Sequence, residues 1–457
     1  MEIANPALPG VRDEGVLRWR RAVRGGIAGS AGRGLALLLS LVVTPVAINR
    51  AGSTTYGLFA SLTAFATLLA FADFGIGNGV IRELVAVRAK AASAPGAAVL
   101  DADVAEGPIT ATALLMLIML GISVAAVGVV AAFVLPWRTL LNAPAGATNS
   151  LRYAVVAVAV CTGCTVPGAL AQKIYLARQR SAQAGLWAAA AGIAASGTLL
   201  AVVLGSHRLP LMVAAVLGAP AAVGASALIW LAHTRDVSLK TDQISLAIAK
   251  TLIKSGRLFA VLQFVAIINF EVDNLIVARV LGPTRVTQFA ATSGLFAIPL
   301  ALSAMFFTPL WGAFGDAVAL NDIEWVRRAY RRSTVTALRI LVPTAALLVI
   351  VGRPAVHAWT RGAVHAPMSL IVALAVWLVV YGFNQPQAML LNALHAERFQ
   401  IWGASANLVV NLSLSIVFTI ELGVSGPIWG TLVAQVCVVV ATTLYLRRLN
   451  TNWPPSR

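Results

Sequence analysis

Charged residues are scarce in this chain: Asp, Glu, Lys and Arg together make up 11% of its 457 residues. A water-soluble domain usually has about a quarter of its residues charged, so this sequence has too few charges to cover a water-facing surface. The hydrophobic share of 59% excludes an intrinsically disordered chain. The apolar residues form long runs, unlike the short alternating segments of a porin-type barrel.

Residue patterns for enzymatic chemistry are lacking as well. The 3 cysteines, Cys161, Cys164 and Cys437, lie in apolar runs without the polar neighbours or further ligands of a redox or metal site. There is no Walker motif, the 5 histidines are not at metal-binding spacing, and no Ser-His-Asp or Cys-His arrangement can be read. We therefore expect no cofactor and no metal, and a protein that is not an enzyme.

What the sequence does contain is a series of long apolar runs. A helix needs about 20 apolar residues to cross a bilayer, and runs separated by polar breaks predict twelve such helices. Their expected bounds are 27–49, 57–81, 110–136, 151–177, 184–204, 210–232, 257–281, 286–313, 334–352, 367–392, 401–420 and 426–446. The predicted fold is an all-α polytopic membrane protein.

Basic residues dominate the little charge that there is. The chain has 34 Lys and Arg against 17 Asp and Glu, a net charge of +17. In a soluble protein this excess would suggest nucleic acid, but it is also typical of the cytoplasmic loops of membrane proteins. With the N-terminus inside, the inner segments hold about three times as many basic residues as the outer ones. We expect both termini in the cytoplasm, location in the cytoplasmic membrane and no binding of nucleic acid.

Two short segments indicate an internal duplication with an offset of 230 residues. Residues 52–59 join the first two predicted helices and residues 282–289 join the seventh and eighth, with Gly, Thr and Phe in register. Six helices per half give both halves the same orientation, with a pseudo-two-fold axis along the membrane normal and a cavity between them. The expected domains are an N-terminal segment (1–26), an N-lobe (27–232), a cytoplasmic linker (233–256), a C-lobe (257–446) and a tail (447–457).

Several motifs resemble the bacterial polysaccharide flippases of the MATE-like multidrug/oligosaccharidyl-lipid/polysaccharide exporter superfamily. They lie in residues 41–45 (Leu-Val-Val-Thr-Pro), 52–59, 71–75 (Phe-Ala-Asp-Phe-Gly), 273–282, 289–291 and 316–332. The resemblance implies a two-lobe transporter that moves an undecaprenyl-diphosphate-linked oligosaccharide across the cytoplasmic membrane by alternating access. It also implies coupling to a proton or sodium ion and contact with membrane lipid and glycan assembly proteins, for cell-surface polysaccharide assembly.

Alternatives to this function stay open. A multidrug/ion antiporter or a lipid II flippase of the same superfamily would share these motifs. A membrane glycan polymerase or ligase would need a large outer loop with catalytic residues, but the outer segments 137–150 and 353–366 are short and lack carboxylates. The longest predicted inner loops, 82–109, 233–256 and 314–333, are too short for a catalytic domain.

A sugar-diphosphate head needs a hydrated passage through about 30 Å of hydrocarbon, so polar residues inside predicted helices are candidate site residues. Arg33 and Arg339 lie early in the first and ninth helices. They could bind phosphate through the guanidinium, or snorkel to the membrane surface. Gln263, Asn269 and Asn384 offer hydrogen bonds to sugars, although most such amides join helices.

Three carboxylates complete the candidate set. Glu271 and Asp273 in the seventh helix are candidates for coupling to a proton or sodium ion, or for a polar contact between helices. Because residues i and i+2 project about 200° apart on a helix, only one of them should face the cavity squarely. Asp73 is a candidate cavity or gate carboxylate that could pair with Arg33, or else a structural residue in a helix break.

Overall fold

A computed structural model describes residues 34–69, 73–93, 99–234, 243–307, 310–394 and 396–451, which are almost entirely helical. In a bilayer every backbone N–H and C=O must find a partner within the protein, and a helix provides these partners within one segment. The helices are α1 (Gly34–Ala51), α2 (Ser53–Leu69), α3 (Ile76–Ser93), α4 (Val99–Val134), α5 (Trp137–Leu140), α6 (Thr148–Ala177), α7 (Ser181–Gly205), α8 (Leu209–His233), α9 (Leu246–Leu281), α10 (Pro283–Phe307), α11 (Leu310–Ala319), α12 (Ile323–Trp359), α13 (Met368–Ala393), α14 (Glu397–Leu422) and α15 (Gly426–Thr451).

The predicted all-α polytopic membrane fold is confirmed. Among the described residues, 9 segments are long and apolar enough to cross a membrane, and the last of them, Arg398–Arg448, covers most of α14 and of α15. Each predicted span overlaps one helix or two consecutive helices. Large apolar side chains point outward, such as Val127 at 69% exposure and Ile350 at 75%. Lipid tails are as apolar as these side chains, so a bilayer is the solvent that suits this surface.

The predicted inner loops contain helical segments. Helix α3 and the start of α4 fill most of 82–109, α9 begins at Leu246 inside the predicted linker 233–256, and α12 begins at Ile323. These stretches contain enough Arg, Lys, Glu and Asp to end an apolar run. Most of these residues are nevertheless good helix formers, as is Ala, so the helices continue beyond the apolar segments.

The predicted span 57–81 is two helices instead of one. Helix α2 ends at Leu69, and α3 begins at Ile76. Between α2 and α3, Phe74 and Gly75 have positive φ angles of 44° and 75°, a left-handed conformation that cannot continue an α-helix. Asp73 Oδ1 accepts a hydrogen bond from the N–H of Gly75 at 3.0 Å, which holds this break in place.

The helices form two halves, an N-half (α1–α8) and a C-half (α9–α15). We call the end with the α3–α4 and α11–α12 connections the basic end, and the end with the α1–α2 and α9–α10 turns the far end. Among the described residues, one buried core that includes Leu62 and Phe296 joins both halves toward the far end. Toward the basic end the halves have separate cores, around Leu170 and around Phe314, and Leu252 of α9 packs into the first.

Residues related by the predicted offset meet each other at the far end. Thr54 and Thr284 are 230 positions apart, and their Oγ1 atoms lie 3.2 Å apart. The hydroxyl of Thr287 donates a hydrogen bond to the carbonyl of Ser53 close by. Two equivalent residues can touch only where the axis that relates them passes between them. The pseudo-two-fold axis therefore runs between the α1–α2 and α9–α10 turns.

The close approach of the halves at this axis depends on Gly57. It is the two-fold equivalent of Thr287, and a Cβ atom on it would overlap the carbonyl oxygen of Pro283, whereas a Cβ at Gly197 would meet no atom within 4 Å. We expect Gly57→Ala to lower the free energy of unfolding by about 1–3 kcal/mol, the usual cost of overpacking. Gly197→Ala, in the interior of α7, should leave it unchanged or raise it. Thermal unfolding in detergent measures both, and equal melting temperatures would contradict the close approach.

Candidate functional site

A cavity of about 570 Å³ lies within the C-half, between α9, α13, α14 and α15. Its wall combines carboxamides with aromatic rings, namely Asn269, Asn384, Gln385, Gln400, Asn407 and Gln435 with Phe270, Trp377, Tyr381, Phe399 and Trp402. Carboxamides both donate and accept hydrogen bonds, and aromatic rings offer flat apolar faces. The wall therefore suits a ligand with many hydroxyl groups. It lies inside one half, whereas the repeat predicts a cavity between the halves.

A hydrogen-bond network of side chains forms one side of this cavity. Asn269 Oδ1 on α9 accepts hydrogen bonds from the Nδ2 atoms of Asn407 and Asn411 on α14, both at 3.1 Å. Asn411 Oδ1 lies 2.8 Å from the hydroxyl of Ser415 and 3.0 Å from that of Thr431 on α15. The network fixes the orientation of the carboxamides and ties α9 to both C-terminal helices.

Asp273 lies directly behind this wall. Its side chain is buried, with 5% exposure. Oδ2 lies 3.3 Å from the hydroxyl of Thr431, a residue that lines the cavity. Oδ1 has no hydrogen-bond partner among the described residues, and no ion pair joins Asp273 to any of them. A carboxylate buried in this way, one hydroxyl from a cavity, can take up a proton or a small cation.

The structure brings three of the predicted site residues together: Asp273, Asn269 and Asn384 lie at or directly behind the C-half cavity. Glu271 is half-buried on the same helix and is not among the described residues that line this cavity. The different surroundings of Glu271 and Asp273 follow from their i, i+2 spacing, which directs them to different sides of α9.

Two further predicted residues, Asp73 and Gln263, belong to a second polar cluster that links the halves. Lys173 Nζ on α6 donates a hydrogen bond to Asn78 Oδ1 on α3 at 3.2 Å, and Asn78 Nδ2 lies 3.4 Å from Gln263 Oε1 on α9. A Cβ on Gly77 would lie 2.9 Å from Lys173 Cε and 3.0 Å from Asp73 Oδ2. The absence of a side chain at Gly77 therefore leaves room for both the Lys173 side chain and the Asp73 carboxylate at this point.

One of the two arginines predicted to bind phosphate, Arg339, is not part of either cluster. Arg33 lies outside the described residues. Arg339 is exposed on α12, and no hydrogen bond or ion pair to another residue in the described ranges holds it. Its placement fits a side chain that reaches the surface of the bundle.

Two functional signals were present in the sequence but missed. Lys173 falls inside the predicted fourth span, so it belongs with the intramembrane charges. Asn407, Asn411, Ser415 and Thr419 recur at every fourth position and are all buried along one face of α14. A polar stripe with this spacing inside an apolar helix predicts a buried polar contact.

Comparisons with known proteins place the chain in a family. A model of the family described as polysaccharide biosynthesis protein matches residues 22–311. No curated protein sequence matches at a significant level. Many solved structures share the fold, and the three described next are each 16% identical to the chain.

An inward-facing conformation of a multidrug resistance MATE family transporter of the MOP superfamily covers 91% of this chain and 96% of its own, with a TM-score of 0.71. An outward-facing conformation of such a transporter covers 94% and 95%, with a TM-score of 0.64. A MOP superfamily transporter from Pyrococcus furiosus, described as having a binding pocket of reversed polarity, covers 94% and 95%, with a TM-score of 0.65.

The structural matches establish the fold over nearly the full length of the chain, and the family match spans more than half of it. Both agree with the motifs read at 52–59 and 273–282. The chain belongs to the polysaccharide biosynthesis protein family, and it is a multi-pass membrane protein with the fold of the MATE transporters.

Proposed function

We propose that this protein is a flippase that carries a lipid-linked oligosaccharide of the undecaprenyl-diphosphate type across the cytoplasmic membrane. The observation that carries the proposal is the C-half cavity, whose carboxamide and aromatic wall leads to the buried Asp273. The sugar head binds against the carboxamides and aromatic rings of this wall while the isoprenoid tail stays in lipid. Family membership favours a saccharide cargo over a cationic drug.

Alternating access supplies the movement. At the far end the halves are joined by a common core and by hydrogen bonds, among them Asn49 Nδ2 to the carbonyl of Thr360 at 2.9 Å and Trp359 Nε1 to the carbonyl of Leu41 at 2.7 Å. At the basic end each half has its own core, and α9 reaches across with Leu252 packed into the core of the N-half. Cargo enters from the basic end, which we place in the cytoplasm, and leaves after these far-end contacts have broken.

Ion coupling is assigned to Asp273. A lone ionised carboxylate inside a membrane protein is costly, and this one has a single hydroxyl contact and no ion pair among the described residues. Uptake of a proton or sodium ion removes the cost, and release restores it. Thr431 also belongs to the network that orients Asn411. A change in the charge of Asp273 therefore alters the hydrogen bonds of the cavity wall.

A deletion strain tests the proposed cargo. We expect the strain to accumulate undecaprenyl-linked oligosaccharide on the cytoplasmic side and to lose surface glycan, because the lipid carrier is no longer turned over. Lipid extraction with mass spectrometry measures the intermediate. Normal glycan with increased sensitivity to cationic drugs would instead identify a multidrug antiporter.

The carboxamide wall is tested by Asn407→Ala. The substitution removes the hydrogen bond that Asn407 donates to Asn269, and it removes a hydrogen-bond donor from the cavity wall. We expect the flipping rate to fall roughly threefold to tenfold, as for one lost hydrogen bond. The control is Asn149→Ala, at the far end and exposed, which should leave the rate unchanged. Equal rates for both variants, at equal amounts of folded protein, would exclude the wall from cargo binding.

A further inference from the structure

A second cavity, of about 590 Å³, lies at the far end of the N-half and has no part in the site described above. It is formed by the start of α2, the connection from α5 to α6 and the turn between α7 and α8. Its polar lining consists of Thr54, Thr55, Ser150, Tyr153, His207 and Arg208. Hydroxyls, an imidazole and a guanidinium around one space are all groups that can donate hydrogen bonds to an oxyanion.

The charge around this cavity has one sign. The segments that form it, residues 50–58, 137–153 and 205–212, contain no Asp or Glu. They contain four exposed arginines, Arg50, Arg138, Arg152 and Arg208. Four arginines without a carboxylate in these segments give this end of the N-half a positive charge, which favours an anionic partner.

Arg208 is the cation that lines the cavity itself. Its side chain makes no hydrogen bond or ion pair with another residue in the described parts of the chain. A guanidinium presents a fork of donors that matches the oxygens of a phosphate. The position is therefore ready to bind an anion without first breaking an internal contact.

The backbone of the α7–α8 turn holds Arg208 and His207 at the cavity edge. The N–H groups of Ser206 and His207 both donate to the carbonyl of Val202, at 2.8 and 3.1 Å. His207 has a φ of +40°, a left-handed conformation that residues other than glycine rarely adopt. The turn maintains this strained geometry, which directs both residues away from a continuous helix.

Helix starts add to the same electrostatic field. Residues from the beginnings of α2, α6 and α8 all line the cavity, and none of these helices has an acidic residue in its first turn. The N-cap residues Ala147 and Arg208 provide no side-chain cap. The positive ends of the helix dipoles favour a bound anion and so reinforce the guanidinium.

We propose that this far-end cavity is a binding site for a phosphate group, carried either by a soluble phosphate ester or by a lipid headgroup. Its wall includes Thr54, whose hydroxyl contacts Thr284 across the two halves. A ligand in this site therefore contacts a residue of the Thr54–Thr284 pair that closes the far end. The proposal depends on the chemistry of the cavity alone and holds for any cargo of the C-half site.

Calorimetric titration of the purified full chain tests the site. The protein is kept in a non-ionic detergent without phosphate, and inorganic pyrophosphate is the probe. We expect Arg208→Gln to weaken binding by about tenfold or more, as for a lost charge-assisted contact. The matched control is Arg285→Gln, also exposed at the far end but hydrogen-bonded to Gln288 at 2.9 Å and outside the cavity. It removes the same charge and should change the affinity less than about twofold.

A second arm separates the two sources of phosphate. Mixed micelles with phosphatidylglycerol replace pyrophosphate, and the melting temperature is followed. Stabilisation that depends on Arg208 but not on Arg285, without binding of pyrophosphate, identifies a lipid headgroup as the ligand. Thr55→Val, which removes a lining hydroxyl, should weaken whichever ligand binds. Equal losses in Arg208→Gln and Arg285→Gln, or no binding of either probe, would overturn the proposal.

Discussion

Replacement of Asp273 by Asn is expected to abolish export of the glycan while the protein stays in the membrane in normal amount. Asn has nearly the same shape and can form a hydrogen bond with the hydroxyl of Thr431, which lies 3.3 Å from Oδ2 of Asp273. It cannot take up a proton or serve as an anionic ligand of a cation. The substitution therefore removes the coupling and preserves the packing of a site that is 5% exposed. Surface glycan is measured on whole cells, and the protein by immunoblotting of membranes.

The matched control for this substitution is Asp316→Asn. Asp316 is exposed on α11, and its neutralisation should leave export unchanged. Normal surface glycan in the Asp273→Asn strain would exclude Asp273 from coupling. Loss of the protein from the membrane would show a structural role instead, and Asp273→Glu, which keeps the carboxylate, then decides whether charge or packing matters.

A cross-link between Thr54 and Thr284 is expected to stop transport completely. Their hydroxyl oxygens are 3.2 Å apart, so two cysteines at these positions lie within reach of a disulfide or a short bifunctional reagent. If cargo leaves through the far end, a covalent bond at the pseudo-two-fold axis holds the exit closed. Reduction of the disulfide should restore transport. The measurement is transport before oxidation, after oxidation and after reduction, in a background without Cys161, Cys164 and Cys437.

The single variants Thr54→Cys and Thr284→Cys serve as controls, because each keeps one native hydroxyl and cannot form the bond within one chain. They should transport at the normal rate under oxidation. Full transport by a double variant that is shown to be cross-linked would mean that the far end does not open between the halves. That result would exclude alternating access in the form proposed, whatever the cargo.

The positions of the helices could be predicted because each span needs about 20 apolar residues, and the sequence separates these runs with polar segments. A helix break beside Asp73 was one of the two expectations for that residue, but the sequence does not show that Phe74 and Gly75 adopt the positive φ angles that end the helix. The pairing of Thr54 with Thr284 follows from the repeat, but that they touch follows from where the axis lies.

The candidate site was only partly predictable for a related reason. Asn269 and Asp273 stand out as polar residues in an apolar helix, but their partners lie far along the chain. Asn407 becomes a neighbour of Asn269, and Thr431 of Asp273, only when α14 and α15 pack against α9. Single polar residues on those helices do not reveal which of them face α9. The four-residue spacing on α14 identifies a polar face, and the packing decides what that face contacts.

The most direct measurement of the central claim is flipping by the purified protein in liposomes. The liposomes contain a lipid-linked oligosaccharide, and a membrane-impermeant glycosidase added outside reports the fraction of the glycan in the outer leaflet. With the wild-type protein, we predict that nearly all of the glycan becomes accessible, and that in Asp273→Asn liposomes only the fraction initially in the outer leaflet is cleaved. Equal cleavage in protein-free and wild-type liposomes, with folded protein present, would contradict the account.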